Sequence, residues 1–293
     1  MFTLGILLQS NFMQEDQSSN IYIISIILYF LIAFVILLNA YKLLDFIAFY
    51  FYKKPFLIHF PVFLKEFKNN VNKTVIEGNF PVYRYLSPIK QKIFNHRVVK
   101  FIEWKEFVGM DGMEVTEEMK VQVASCAVFL SFGMRYYDIP AIDTIIIYPD
   151  VYYSNLSDAY HKGEFNPMQR AIVLSWKHFL IGFEDSDDGI NLGLHEFSHA
   201  LFFSNFRESN TSADIFQDGL ESLQQIYMNE SKLEDLKNIG FLRPYGYNNF
   251  MEFFSVCVEM LVEKPIAFKQ YHNELYMVII RMLNFSFIEK KGR

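Results

Sequence analysis

The sequence predicts an α+β fold, in which a mostly helical domain with a small sheet follows one transmembrane helix. Ile21–Asn39 contains no charged residue, as expected of a membrane span. Two short β-branched runs, Thr144–Tyr148 and Ala171–Ser175, predict buried strands. Apolar residues recur at helical spacing in three further segments: Phe80–Phe107, Met119–Phe132 and Phe250–Val262. Short strands among longer helices indicate the α+β class.

The uncharged run also predicts an orientation in a membrane. At about 1.5 Å per residue it forms roughly 28 Å of helix, close to a bilayer core of about 30 Å. Glu15 lies before the run, whereas Lys42 and Lys53 follow it. The positive-inside rule therefore predicts a single-pass protein of the inner membrane, with the N-terminus outside and the later residues in the cytoplasm. The next apolar stretch, Leu43–Tyr52, is too short to span and either continues the helix or lies in the interface.

These patterns divide the chain into four parts. They are a short N-terminal segment at 1–20, a transmembrane helix with its juxtamembrane segment at 21–52, a connector at 53–79 and the folded domain at 80–293. Within the domain, Gly163–Met168 and Asn205–Ser212 are expected to be loops, and a last helix is expected from Ile266 to Leu283. The basic residues of Phe80–Phe107 are expected to face solvent.

Composition excludes several classes of protein. The chain is 52% hydrophobic, which is too apolar for disorder, and its net charge of -6 gives no reason to expect direct nucleic-acid binding. Cys126 and Cys257 lie in apolar helical patterns, so we expect two buried, reduced thiols. Without a Cys-x-x-Cys pair, a cysteine-type zinc site is excluded.

The segment His195–His199 reads His-Glu-x-x-His and points to metal chemistry. Side chains four residues apart share one face of a helix, so His195 and His199 can hold one metal ion. Glu196 lies beside them, where a carboxylate can polarise a bound water. Asp188–Asn191 supplies the turn and cap that would begin such a helix.

A zinc site of this kind needs a third protein ligand. His161 and His178 precede the motif and are candidates. Glu252 and Glu259 are the acidic candidates, because two helical turns place both on one face of an apolar helix. The spacing leaves these alternatives open.

Several spaced anchors resemble the Mlc titration factor A family of zinc metallopeptidases. The resemblance covers about Phe80 to Leu283 and does not rest on the histidine motif alone. Its anchors are Phe80-Pro81, Leu86-Ser87-Pro88, Phe101-Ile102, Lys105-Glu106-Phe107, Tyr148-Pro149, Ile172–Trp176, Gly182, Asp188–Asn191, Leu194–His199, Tyr245-Gly246, Glu252–Val256 and Glu259.

This resemblance implies a zincin-like metallopeptidase domain that acts on peptides, in the manner of an aminopeptidase. It implies that His195, His199 and Glu252 bind Zn²⁺, that Glu196 is the catalytic base, and that Glu259 supports the ligands. The alternative is a regulatory protein that binds a transcriptional repressor, with peptidase activity secondary. The chain departs from the family at Leu201-Phe202, in Asn205–Asp214 and in its transmembrane segment.

The catalytic mechanism requires a further donor and a place for the substrate. Tyr245 is the candidate to stabilise the oxyanion, because its phenol lies just before the helix of Glu252, and Tyr247 is the alternative. We expect Ala171–Ser175 to be the edge strand along which a peptide is laid, since it lies just before the motif helix.

Overall fold

The computed structural model describes residues 2–57, 64–65, 71–135, 137–154, 158–184, 188–204 and 211–284. The chain forms two compact units, Met1–Tyr52 and Lys53–Arg293. The described residues are mostly helical with small sheets, which confirms the predicted α+β class.

The first unit contains one helix, α1 (Phe2–Tyr52). The most apolar 18-residue stretch of its part from Asn20 to Tyr52 has a mean hydropathy of 3.0, and none of that stretch is buried in the protein. By length and composition this helix can cross a membrane, and a signal sequence would meet the same criteria. Leu43–Tyr52 continues the predicted span rather than forming a separate segment.

The second unit contains a four-stranded sheet and a separate hairpin. The strands are β1 (Glu106–Gly109), β2 (Thr144–Tyr148), β3 (Tyr152–Ser154), β4 (Ala159–His161), β5 (Gly163–Asn166) and β6 (Ala171–Ser175). The sheet has the order β1-β2-β6-β5, and β3 pairs with β4. The neighbours β1, β2 and β6 run parallel, whereas β5 runs antiparallel to β6.

Two expectations about this sheet are wrong. The strand at Ala171–Ser175 lies between β2 and β5 with all five residues buried, so it is not an edge strand. The edge is formed by Gly163–Asn166, which begins the segment that we expected to be a loop. No hydrophobic pattern marks this strand in the sequence, because it is short and only one of its four residues, Phe165, is strongly apolar.

Most of the other described residues of the second unit are helical. The helices are α2 (Val71–Asn79), α3 (Pro88–Trp104), α4 (Glu117–Ser131), α5 (Trp176–Glu184), α6 (Leu192–Phe203), α7 (Thr211–Met228), α8 (Glu230–Ile239), α9 (Phe250–Glu263), α10 (Pro265–Tyr271) and α11 (Asn273–Met282). Two 3-10 helices, Pro81–Tyr85 and Pro244–Tyr247, join them. The predicted helical stretches at 119–132 and 250–262 correspond to α4 and α9.

The predicted helix boundaries are corrected at three places. Phe80–Phe107 divides into a 3-10 helix, α3 and the start of β1, because parallel pairing with β2 draws Glu106 and Phe107 into the sheet. The last helix divides into α10 and α11 at His272, whose backbone leaves the helical region. The loop predicted at Asn205–Ser212 ends before Thr211, where α7 begins, and residues 205–210 lie outside the described part of the chain.

The basic residues of α3 do not all face solvent, contrary to expectation. Arg97 is only 2% exposed, and its guanidinium donates to the carbonyl oxygens of Ser131, Phe132 and Met134. These carbonyls lie at the C-terminal end of α4, where helical partners run out. Arg97 therefore joins α3 to the end of α4 from within the core.

Helix α4 forms the centre against which the motif helix packs. Its small side chains permit close packing, and Cys126 and Cys257 are both buried and not bonded to each other. A methyl group added at Gly193 of α6 would lie 3.0 Å from the sulfur of Cys126 and 2.6 Å from Phe179. This close approach fixes α6 against α4 and α5.

Candidate metal centre

The motif lies on α6, whose first turn is held by several contacts. The Asn191 side chain caps the helix by accepting from the Leu194 amide at 3.0 Å, and it donates to the Gly182 carbonyl at 2.6 Å. Gly189 has φ +78°, and a side chain there would also meet the thioether of Met260. The predicted turn and cap at Asp188–Asn191 are thus found, and they fix where α6 begins.

The two motif histidines both direct Nε2 toward Glu252. His195 Nδ1 lies 2.7 Å from Glu259 Oε1, and His199 Nδ1 lies 3.0 Å from the Ser255 hydroxyl. Because each Nδ1 is occupied by a partner, each Nε2 is left to face the site. This is the orientation that two imidazoles need to bind one metal ion.

Glu252 completes a group of three converging ligand atoms. It lies in the first turn of α9, where its backbone amide donates to the Asn249 cap at 3.0 Å. Its Oε2 lies 3.0 Å from His195 Nε2 and 3.5 Å from His199 Nε2. One ligand atom from each residue lies within 4.8 Å of the others.

The donors in this group fit a metal ion. Glu252 Oε2 is fully buried, yet it has no hydrogen bond of normal geometry among the described residues, although two imidazole nitrogens lie beside it. A buried carboxylate oxygen without such a bond is costly unless a cation compensates it. Two imidazoles and a carboxylate are the donor set of a three-ligand catalytic metal site.

Glu196 points to the edge strand β5 rather than into the group of ligand atoms. Burial raises the pKa of its carboxyl to about 7, and a hydrogen bond from the Phe165 backbone opposes that rise. The Ser175 backbone amide donates to the Lys162 carbonyl. In an antiparallel pair, alternate residues direct their backbone N–H and C=O groups toward the partner strand, so those of Gly163 and Phe165 point away from β6. Those groups therefore face α6 and Glu196.

Burial and charge also set the protonation of the histidines. Burial lowers the pKa of His195, but the neighbouring carboxylates of Glu252 and Glu259 outweigh it and raise that pKa to about 10. Burial and the neighbouring His195 lower the pKa of His199 to about 4. An imidazole binds a metal ion through a deprotonated ring nitrogen, so occupancy of such a site depends on pH.

The two candidate tyrosines behave differently. The Tyr245 ring lies 6.0 Å from the His195 ring, and burial followed by the charge of Glu252 raises the pKa of its phenol to about 12. The Tyr247 ring instead packs on Phe253 and lies near Cys257. Of the two, Tyr245 is the one beside the metal-binding group.

The remaining sequence candidates lie apart from this group. His178 Nδ1 is 2.9 Å from the Ser175 hydroxyl, and His161 lies on β4. Neither joins the three converging residues. Phe202, which departs from the family pattern, packs on Phe250 and Phe254 and so holds α6 to α9.

Sequence reasoning missed three residues around the site. Ser255 holds His199, and the Arg243 guanidinium makes an ion pair with Glu259. Tyr152 is buried, its hydroxyl has no hydrogen-bond partner among the described residues, and the charges of Glu164 and Glu196 act on it. Ser255 could have been found from its position, since it lies on the same helical face as Glu252, but the other two depend on long-range packing.

Comparisons with known proteins agree with this geometry. Residues 63–283 match the family described as glucose-regulated metallo-peptidase M90. An uncharacterized protein of Synechocystis is 26% identical over 222 residues, which cover 71% of this chain and 81% of that protein. Mlc titration factor A of Klebsiella pneumoniae is 25% identical over 133 residues, which cover 41% of this chain and 49% of that protein. The matched region includes all three converging ligand residues, and the chain belongs to the glucose-regulated metallopeptidase M90 family.

Proposed function

We propose that this protein is a membrane-anchored, zinc-dependent peptidase. The observation that carries the proposal is the convergence of His195, His199 and Glu252, with Glu196 intact beside them but turned away from the ligand atoms. A purely structural metal site has no use for such a base. Membership of a metallopeptidase family supports the same reaction class.

The side chains divide the chemistry among themselves. His195, His199 and Glu252 would hold Zn²⁺, which lowers the pKa of a bound water and polarises the scissile carbonyl. Glu196 accepts a proton from the attacking water and delivers it to the leaving amine. Its raised pKa, about 7, suits a group that must both accept and donate near neutral pH. Tyr245 would donate to the oxyanion.

The peptide is proposed to lie along β5. This strand is the sheet edge nearest the site, because a side chain at Gly163 would meet the Glu196 carboxylate at 2.9 Å. An extended peptide could add to that edge through backbone hydrogen bonds. A peptide bound there would have its backbone next to Glu196. A preference for free amino termini, as in an aminopeptidase, is the specificity that the family resemblance suggests.

We place the catalytic unit on the cytoplasmic side of the inner membrane. The proposal is supported by the apolar helix Asn20–Tyr52 and by the lysines that follow its uncharged core. A reporter fused after Arg293 tests it. Cytoplasmic activity of the reporter is expected, and a periplasmic signal would reverse the orientation.

A second candidate function is binding of a transcriptional repressor. It is favoured by the match to a protein named Mlc titration factor A, which covers about half of that relative. Binding alone would not need Glu196. A pull-down with a purified repressor, comparing wild type with Glu196→Gln, separates the two functions. Equal capture by both without any hydrolysis would favour binding.

The proposed reaction is tested by metal reconstitution. Protein stripped by a chelator should regain hydrolysis of a mixed peptide library in proportion to added zinc, with the rate levelling off at one zinc per chain. Peptides with acetylated and free amino termini in the library report exopeptidase specificity. A chain that takes up one zinc and cleaves no member of the library would overturn the proposal.

A further inference from the structure

Arg243 lies next to the metal-binding group without contacting the ligand atoms. It immediately precedes the 3-10 helix Pro244–Tyr247, and its guanidinium Nη2 makes a short ion pair with Glu259 Oε1. The same carboxylate oxygen lies 2.7 Å from His195 Nδ1. Arg243 is therefore one residue removed from a proposed metal ligand.

Glu259 needs a positive partner to stay where it is. The side chain is only 1% exposed, and its second oxygen accepts the Asn191 amide at 2.8 Å. Glu196 and Glu252 place two more buried carboxylates around the same histidine. A buried carboxylate among others is strongly disfavoured unless hydrogen bonds and an opposite charge compensate it. The guanidinium supplies that charge to the oxygen that orients His195.

Arg243 also fixes the start of the segment that carries Tyr245. The Gly246 amide donates to the Arg243 carbonyl at 3.0 Å, and the Asn248 amide donates to the Tyr245 carbonyl at 3.1 Å. A methyl group added at Gly246 would lie 3.1 Å from Val256 of α9, so this short helix lies directly on α9. The ion pair to Glu259 ties the same segment to α9 a second time.

We propose that Arg243 is a positioning residue that fixes His195 and Tyr245 relative to each other. Through Glu259 it orients the imidazole of His195, and through the backbone of Pro244–Tyr247 it places the phenol of Tyr245. The assignment of a role in the reaction rests on the proposed peptidase function. The effect on metal binding does not depend on which reaction follows.

Variants of the full chain test this assignment by zinc affinity, measured in competition with a chromogenic chelator. Arg243→Met should weaken zinc binding by roughly 10- to 100-fold, the range seen when a residue that orients a ligand is removed. Arg243→Lys should restore part of the affinity, since it returns the charge without the planar fork. Lys232→Met is the matched control, because Lys232 on α8 forms an exposed ion pair with Glu274 on α11.

A double-mutant cycle separates positioning from general stabilisation. If Arg243 acts through Glu259, the variant carrying both Arg243→Met and Glu259→Gln should bind zinc about as weakly as Glu259→Gln alone. Losses that add in full, or an Arg243→Met affinity within twofold of wild type, would overturn the proposal. Should Arg243→Met fail to fold, Arg243→Lys with Glu259→Gln completes the same cycle.

Kinetics on the zinc-loaded variants test the link to Tyr245. Arg243→Met should lower kcat at least tenfold while KM for a peptide changes less, because a displaced Tyr245 affects the transition state more than substrate binding. An unchanged kcat at full zinc occupancy would contradict that link. If no peptide is cleaved even by wild type, the proposed function fails, and the zinc-affinity cycle still decides the role of Arg243 at the metal site.

Discussion

At the scale of single residues, the site depends on which nitrogen of each histidine is held. Glu259 occupies Nδ1 of His195, and Ser255 occupies Nδ1 of His199. A carboxylate makes its imidazole more basic than a hydroxyl does, so the two imidazoles differ electronically although they occupy equivalent places in the motif. The site is therefore asymmetric before any metal is bound.

The two tyrosines give a matched pair of variants at this scale. Tyr245→Phe should lower kcat by roughly 10²- to 10³-fold, the usual effect of losing one oxyanion donor, with zinc content unchanged. Tyr247→Phe should leave kcat unchanged, because its ring packs on Phe253 and lies near Cys257. Steady-state kinetics on zinc-loaded protein measure both. Similar losses in the two variants would show that Tyr245 acts through packing.

The sequence was sufficient for the residues related by local spacing. His195, Glu196 and His199 follow from helical periodicity, and Asn191 follows from helix-capping chemistry. Glu252 was one of several candidates until a family resemblance singled it out, because its place beside the histidines depends on how α9 packs on α6. Arg243 lies 16 residues from Glu259, and no local rule connects a loop arginine to a buried helical acid across that distance.

At the scale of secondary-structure elements, the order of the strands could not be read from the sequence. Both β-branched runs were recognised as strands, yet their neighbours depend on contacts distant in the chain. Ala171–Ser175 is buried on both faces, which fits a central strand better than an edge. The short edge strand Gly163–Asn166 is held largely by its pairing with β6, so its own composition gives little signal.

Gly163 provides a test of the contact between β5 and α6. Gly163→Ala would place a methyl group 2.6 Å from Leu192 Cδ1 and 2.9 Å from Glu196 Oε1, so both side chains must move. We expect kcat to fall about tenfold or more, because a small displacement of the base is costly, while zinc affinity stays unchanged. Gly78→Ala is the control, since nothing lies within 4 Å of its added methyl. Equal activity of the two variants would contradict the proposed role of β5.

Helix α9 carries a further acid whose protonation affects stability. Burial, followed by the charge of Glu259, raises the pKa of Glu263 to about 7. Between pH 4.5 and about 7 the folded chain therefore keeps a proton that the unfolded chain releases. The folded state binds more protons in this window, so its stability should fall as the pH rises through it.

Glu263→Gln should remove this component of the pH dependence. The amide oxygen can still accept the Gly189 amide, which lies 2.8 Å from the carboxylate of Glu263. Thermal unfolding should show the variant gaining Tm relative to wild type at pH 8 and matching it near pH 4.5. Glu234→Gln, on the exposed face of α8, serves as the control. A Tm difference that is the same at both values would contradict the account.

At the scale of the whole molecule, the chain divides at Tyr52 and Lys53. The region that matches the metallopeptidase family lies entirely in the second unit. The first unit exposes large apolar side chains along most of its described length, which water tolerates poorly and a lipid environment accepts. The connector that the sequence predicts at 53–79 contains one described helix, α2.

Removing the first unit should separate folding from membrane attachment. Residues 53–293 expressed alone should stay in the soluble fraction and bind one zinc per chain, because the core and the site lie in that unit. The full chain should remain in the membrane fraction after carbonate extraction. Fractionation followed by metal analysis measures both. A full chain recovered as soluble protein, or cleaved near residue 52, would contradict permanent anchoring.

The most direct test of the central claim compares wild type with Glu196→Gln at equal zinc occupancy. The substitution keeps the size of the side chain and removes its ability to accept a proton, and Glu196 is not among the three converging ligand residues. We predict one zinc per chain in both proteins, with peptide hydrolysis lowered by at least 10²-fold in the variant. Equal hydrolysis by the two proteins at one zinc per chain would contradict the claim that Glu196 acts as the base of a metallopeptidase.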